Sequence, residues 1–192
     1  MGGRQLTFGP LVGALSASVG TATNTIVGTS PADGNLVWGK WGAGSNLTDF
    51  NYTTGANPLS VPWITGDAIN NIPPTLGSQI YTMIAGAALV INNNTGTAGT
   101  MNSASIVADF VNRSVNVSLN ATNTNLGRTY QMDASGGFAP TTGRFSQGFN
   151  SVTCSGGGCG AGFFAGAQAQ GAGVAFTAGG NNGVSGVVGL RR

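Results

Sequence analysis

The stretch MNSASIVADFVNRSVNVSLNATNTNLGRTYQMDASGGF, Met101 to Phe138, decides the fold class. Ile106, Ala108 and Phe110 alternate with Val107, Asp109 and Val111, and after Asn112-Arg113-Ser114 the residues Val115, Val117 and Leu119 alternate with Asn116, Ser118 and Asn120. A period of two on both sides of a short polar break is the pattern of a β-hairpin with one buried face. It buries the even positions of the first arm and the odd positions of the second. On a helix, successive members of these sets would lie roughly 200° apart, so no common face would form. The expected class is all-β, an antiparallel barrel of about eight short strands with Gly-rich loops.

Outward from this hairpin the same reading continues. Ser30-Pro31-Ala32-Asp33-Gly34-Asn35 is a turn signal leading into a strand over Leu36-Val37-Trp38-Gly39-Lys40-Trp41, with Leu36, Trp38 and Lys40 on one face. Residues from Asn51 to Pro74 read as a long connection with one helical turn near Asp67-Ala68-Ile69, anchored by Trp63. Leu76 to Ile91 resumes the β pattern, with Ile80, Thr82 and Ile84 opposite Tyr81, Met83 and Ala85, and a bend at Gly86. Shorter strands are expected at Gly127–Met132, Arg144–Phe149, Gly162–Phe164, Gly173–Phe176 and Gly186–Leu190. Residues 1–35 form an N-terminal segment of uncertain packing and 36–192 a single barrel domain. Glycine inside strands is tolerated where a barrel bends or backbones approach closely, which favours a barrel over a flat sheet.

Composition narrows the chemistry. The 192 residues include 34 glycines, no histidine, seven basic and five acidic side chains, for a net charge of +2. Nucleic-acid binding needs clustered Lys and Arg, and the only adjacent basic pair is Arg191-Arg192. No apolar run reaches the roughly 20 residues of a membrane-spanning helix, and Met1-Gly2-Gly3 does not open a signal peptide. Solubility must come from neutral amides and hydroxyls, as in an extracellular or cell-surface domain. Cys154 and Cys159 bracket a four-residue Ser-Gly-Gly-Gly segment, and a disulfide there would contribute about 2 kcal/mol in an oxidising compartment. With no other Cys and no His the pair is a poor metal site.

Catalytic patterns fail one by one. Gly34 to Lys40 has the spacing of a phosphate-binding loop, but Trp41 follows where a Ser or Thr is needed and the segment reads as strand. Without histidine no Ser-His-Asp arrangement exists. Acid–base work would fall to Asp33, Asp49, Asp67, Asp109 or Asp133, none of them paired in sequence. No enzyme activity and no cofactor are expected. Sequons begin at Asn46, Asn51, Asn93, Asn112, Asn116 and Asn120, three of them crowding the central hairpin, and are read as unused. Trp38, Trp41, Tyr52 and Trp63 are the candidate recognition surface, because aromatics bring large contact area at small entropy cost. The competing reading plugs the barrel interior with Trp38 or Trp41 and uses Trp63 as a pin.

Several segments together resemble the β-barrel domain of bacterial transferrin-binding protein B. They are Val107-Ala108-Asp109-Phe110, Val115-Asn116-Val117-Ser118-Leu119, Tyr130, Phe138, Gly143-Arg144-Phe145, Gly162-Phe163-Phe164-Ala165-Gly166 and Ala169 to Phe176. The first half matches only through Trp38-Gly39-Lys40-Trp41. Two features depart from the family: Gln168 and Gln170 stand where an acidic pair is expected, and no lipid-bearing Cys opens the chain. The resemblance implies a barrel displayed outside the cell, outer membrane-associated or secreted, that binds a protein partner or copies of itself. It does not imply transferrin binding. Two other classes remain open, a pore-type outer-membrane barrel and a filament or coat subunit. Strands of roughly five to seven residues count against the pore, which needs about 9–11.

Overall fold

The computed structural model describes residues 24–41, 61–67, 69, 72, 74–149 and 158–192. Eight antiparallel strands form the main sheet: β4 (Ser78–Asn92), β5 (Thr100–Asp109), β6 (Ser114–Asn123), β7 (Arg128–Gly137), β8 (Arg144–Phe149), β9 (Gly158–Ala165), β10 (Gly171–Ala178) and β11 (Val184–Arg191). Their spatial order is β7-β6-β5-β4-β11-β10-β9-β8. This is a meander whose last strand returns to pair with its first. The two ends of the sheet, β7 and β8, are joined by the turn over 138–143 and lie side by side, so the barrel is nearly closed.

The alternation of the central hairpin is what builds the wall. Ile106, Ala108 and Phe110 of the first arm and Val115, Val117 and Leu119 of the second are all buried, in the register Ile106↔Val117 and Ala108↔Val115. Their neighbours Asn116, Ser118, Asn120 and Thr122 point outward and pair with Ser135, Asp133, Gln131 and Thr129 of β7. In β4 the inward set switches from odd (Tyr81, Met83) to even (Ala88, Val90). A bulge makes the switch, since Val188 faces Ala88 while Leu190 faces Met83. Gly86, at φ 75°, supplies the left-handed backbone between them.

The interior is filled. Phe164 meets Tyr81, Phe110, Phe138 and Phe145 with ring centroids 5.1–5.5 Å apart. Around this aromatic group pack Ile106, Val115, Leu119, Met132, Val174 and Leu190. Burial pushes the Tyr81 phenol well above its ordinary pKa, and it donates instead to the Ala169 carbonyl at 2.5 Å.

A second layer lies outside the wall. β1 (Asn24–Ser30), β2 (Leu36–Trp41) and β3 (Val61–Thr65) form an antiparallel sheet in that order. The region read as a long connection therefore contains β3, paired with β2 through Trp38↔Ile64 and Gly39↔Trp63. Among the described residues a 3-10 turn stands at Pro74–Leu76, at the end of that region, and the turn expected near Asp67-Ala68-Ile69 falls partly on Ala68, outside the described residues. β1 comes from the N-terminal segment and pairs with β2, the two joined by a 3-10 turn at Pro31–Asp33 that Gly34 ends at φ 78°. Leu36, Trp38 and Ile64 pack on Ala87, Phe163, Ala165, Ala175 and Val187 of the barrel's outer surface. Eleven strands are present among the described residues, and several are longer than expected. β5, β6 and β7 have 10 residues each and β4 has 15.

Five of the 34 glycines share one explanation. In five cross-strand pairs an aromatic ring lies over the glycine opposite it: Trp38 over Gly28, Trp63 over Gly39, Phe145 over Gly162, Phe163 over Gly173 and Phe176 over Gly186. A Cβ on Gly173 or Gly186 would stand 2.7 Å or 2.5 Å from its ring. The glycine removes the side chain that would hold the ring off the sheet. Gly162→Val is therefore expected to cost about 2 kcal/mol by overpacking, since its Cβ would meet the Phe145 ring and stand 2.8 Å from the Gly173 carbonyl oxygen. Gly137→Ala, where the nearest atom is 3.5 Å away, is the control with little effect. Urea unfolding of both variants checks the difference.

Candidate interaction surface

The aromatics singled out by sequence fall in different places. Trp38 is 4 % exposed and sits between the two layers, outside the barrel wall, so the described interior is filled by the Phe164 group and not by Trp38. Trp63 is 4 % exposed on β3. Trp41 ends β2, opposite Asn24 and Val61. Tyr52 lies outside the described residues. The structure gives the Cys154–Cys159 disulfide no support: Cys154 is outside the described residues, and Cys159 is placed as backbone of β9, opposite Gly148 and Thr177.

The described carboxylates are dispersed, each committed to its own neighbourhood. Asp33 accepts from the Ser30 hydroxyl and Asp67 from the Asn35 amide. Asp133 accepts from Ser118 Oγ at 2.6 Å and from Gln131 Nε2 at 3.1 Å. Asp109 holds the β5–β6 turn, accepting from the backbone N–H of Val111 at 2.9 Å and of Asn112 at 3.0 Å and from the Asn112 amide at 2.7 Å. Asp49 lies outside the described residues. Among the described residues, no three His, Cys, Asp or Glu side chains converge on a point that could hold a metal ion.

The bonds to the Asn112 backbone and side chain hold the Asp109 carboxyl below its ordinary pKa. A depressed carboxylate pKa stabilises the fold above the unfolded-state value and loses that contribution as pH falls through the folded-state value. The wild type is therefore expected to melt higher than Asp109→Ala at neutral pH. The difference should close on acidification below about pH 4, as read from melting temperature against pH.

One end of the barrel is sealed by buried amides. Asn123, fully buried at the end of β6, donates to the carbonyl oxygens of Gly183 (2.9 Å) and Asn182 (3.1 Å) and accepts from the N–H of Asn125 and Leu126. Asn92 joins Thr97, Ala98 and Thr124, and Asn93 donates to the Gly180 carbonyl at 2.8 Å. Tyr130 Oη adds a bond to the Asn182 carbonyl. The opposite end is closed by Phe110, Phe138, Ile69 and Ile72.

What this leaves for contact is the outside of the wall. Asn102, Asn120 and Gln131 are linked by side-chain bonds of 2.6 and 2.8 Å, and Thr122 meets Thr129 at 2.9 Å, so the outer face of β5–β7 is a wet amide and hydroxyl ladder. A membrane barrel carries its apolar band outside and its polar groups inside; over β5–β7 this wall is the reverse, and among the described residues the interior is filled by the Phe164 group. The strand lengths expected to count against a pore do not do so, because 10-residue strands are long enough; the outward polarity of β5–β7 does. Large apolar side chains stand exposed at few places: Ile80 (64 %) beside its cross-strand partner Val107, then Val111, Leu126, and Ile26 and Val27 on β1. Of the sequon asparagines, Asn112 and Asn116 are exposed, Asn93 is buried, and Asn46 and Asn51 lie outside the described residues.

No protein-family model and no curated protein matches the sequence. Solved structures do match in fold. A surface lipoprotein is 13 % identical with a TM-score of 0.56, covering 88 % of this chain and 80 % of its own. A transferrin binding protein B variant from Actinobacillus pleuropneumoniae H49 is also 13 % identical, with a TM-score of 0.55 and the same coverage. The isotype 1 transferrin binding protein B of serogroup B Neisseria meningitidis is 15 % identical with a TM-score of 0.54, and this chain spans 36 % of it. The barrel with its outer strands is thus similar in fold to a surface lipoprotein and to transferrin binding protein B.

Proposed function

We propose that this chain is a non-enzymatic binding module displayed outside the cell, associated with a bacterial outer surface, whose work is to hold a protein partner. The observation that carries the reading is the barrel itself: apolar and filled inside, sealed at both ends, and polar on the uncovered outer wall. Its described interior is taken up by packed apolar side chains, which leaves the surface as the place for contact with a partner. The dispersed carboxylates support the absence of catalysis, and the fold likeness to a surface lipoprotein supports the location. Neutral amides and hydroxyls keep a weakly charged chain in solution without the dense charge of a cytoplasmic surface.

The test is the mass of the purified chain in detergent-free buffer, by light scattering behind a sizing column, followed by capture on the immobilised chain. A monodisperse species at 19.0 kDa that retains a saturable partner from extracellular fluid is the expected result. Open-ended larger species would replace this reading with that of a coat or filament subunit. A requirement for detergent would overturn it in favour of a membrane barrel.

A further inference from the structure

The meander delivers four of the chain's seven basic side chains to one end of the barrel. Arg113 is in the β5–β6 turn, Arg144 opens β8, and Arg191 and Arg192 follow Leu190 where β11 closes. The β7–β8 turn ties the first two together. Its Phe138 N–H donates to the Arg113 carbonyl at 3.2 Å and its Ala139 N–H to the Arg144 carbonyl at 2.8 Å. Three exposed aliphatic side chains stand at the same end. Val111, 63 % exposed, is in the β5–β6 turn with the exposed Arg113. Ile80 faces Val107 across β4 and β5, and the exposed Arg191 faces Thr82, two residues from Ile80 on the outer side of β4. Arg191 is thereby a diagonal cross-strand neighbour of Ile80. Among the described residues the opposite end carries one of each kind, Leu126 and Arg128.

We propose that this end of the barrel is a contact face for a membrane surface bearing anionic phosphate headgroups. This contact is separate from the holding of a protein partner. All four cations are arginine, whose planar fork pairs bidentately with phosphate oxygens. Ile80, Val107 and Val111 stand among them, and apolar side chains set between cations are what an interfacial surface uses, burying aliphatic area at the headgroup boundary while the charges meet anionic lipid. An acidic protein segment would answer the arginines and leave the aliphatic side chains unmet. Shape agrees, because the face is a rim of turn tips and strand ends. A fluid headgroup layer moulds to such a rim, whereas a folded partner must bring a matching surface of roughly 20–30 residues. Three carboxylates share this end, each already engaged: Asp109 by the N–H groups of Val111 and Asn112, Asp33 by Ser30 and Asp67 by Asn35. The stretches outside the described residues add one charge of each sign, Arg4 and Asp49, and so no net charge. The long ones join the described chain away from this end. Asn24, Trp41 and Val61 pair side by side at the far end of the outer sheet from Gly34, which abuts Ala165 and Gly166 here, and Phe149 and Gly158 lie toward the asparagine-sealed end.

The test is flotation of the full chain with vesicles of phosphatidylcholine alone and of phosphatidylcholine with a quarter phosphatidylglycerol. Binding to the anionic vesicles only, released by high salt, is the expected result. Each arginine removed should weaken it about fivefold, so Arg113→Gln loses about fivefold and the double variant Arg191→Gln, Arg192→Gln more than tenfold. Val111→Ser keeps every charge and should lose about threefold through its apolar contact. Arg128→Gln, at the other end, should bind as the wild type does. These are exposed positions, and an unchanged melting temperature in each variant separates lost contact from lost fold. Equal binding to neutral vesicles, no binding to either kind, or a loss in Arg128→Gln as large as in Arg113→Gln overturns the proposal. So does binding to soluble polyglutamate as tight as to the anionic vesicles, which would make an acidic protein the occupant. A chain that holds an extracellular partner and ignores vesicles loses this face and keeps the module reading. One that binds anionic vesicles as expected and captures no partner keeps the face and loses that reading.

Discussion

Phe164→Ala lowers the stability of this chain by about 3–5 kcal/mol, the largest effect expected of any single truncation. The ring is fully buried at the centre of the barrel, in contact with four other aromatic rings drawn from β4, the β5–β6 turn, β8 and the β7–β8 turn. Removing it loses the transfer free energy of a phenyl group and leaves a cavity that rigid rings on several strands cannot collapse to fill. Domains of this kind hold about 5–15 kcal/mol in total, so the variant would stand close to unfolding. A urea titration should show a lower midpoint at unchanged slope. Phe164→Leu, which refills much of the volume, should recover most of the loss. A midpoint unchanged in Phe164→Ala would mean that the barrel's centre is not packed as described.

Asn123→Ala should cost about 3 kcal/mol, by a different mechanism. The side chain contributes little apolar area, but its amide joins the β6–β7 turn to the β10–β11 turn through the carbonyl oxygens of Asn182 and Gly183. Its own carbonyl oxygen accepts two backbone N–H groups, those of Asn125 and Leu126. A methyl in its place removes all of these bonds, leaving the Gly183 carbonyl with the Asn93 N–H alone and the Asn182 carbonyl with Tyr130 Oη, and each hydrogen bond lost is worth about 0.5–1.5 kcal/mol. The loss should appear locally before it appears globally, as faster hydrogen exchange across both turns. Asn123→Asp tests the donor separately, since it keeps the shape and removes the amide hydrogens.

Whether a strand could be read depended on what covers its outer face. β5, β6 and β7 show a clean period of two because their outer face is wet, and the register Ile106↔Val117 follows directly from the alternation. The segments that became β9, β10 and β11 do not alternate. In β10, Gly171 to Ala178, every residue except Thr177 is buried, because one face meets the barrel core and the other meets the outer sheet. Burial on both faces erases the polar half of the pattern, so those strands were read too short. β3 was missed for a related reason. Five residues containing a proline, set among polar residues, carry no periodicity to detect, and the strand exists because β2 offers it a partner.

The candidate surface shows the same limit from the other side. The sequence offers the tryptophans either as a recognition surface or as interior plug and pin; Trp38 and Trp63 instead lie over Gly28 and Gly39, and that pairing needs the cross-strand register to be known. Nor does spacing alone distinguish Asn92 and Asn123, which close the barrel, from the asparagines of the outer ladder. Which asparagines are buried depends on whether three loops distant in sequence meet at one end.

By itself the sequence determined the all-β class, the central hairpin with its buried set, the turn at Pro31–Asn35, the bend at Gly86 and the absence of a histidine-based active site. These depend on local alternation, on turn chemistry and on which residues are present at all. The tertiary structure alone decided that β11 returns to β4, that a second sheet covers one side of the wall, and that rings fill the places glycines leave. Those features arise between residues far apart in the chain. Their energies come from apolar surfaces and hydrogen-bond partners that meet only once the barrel has closed.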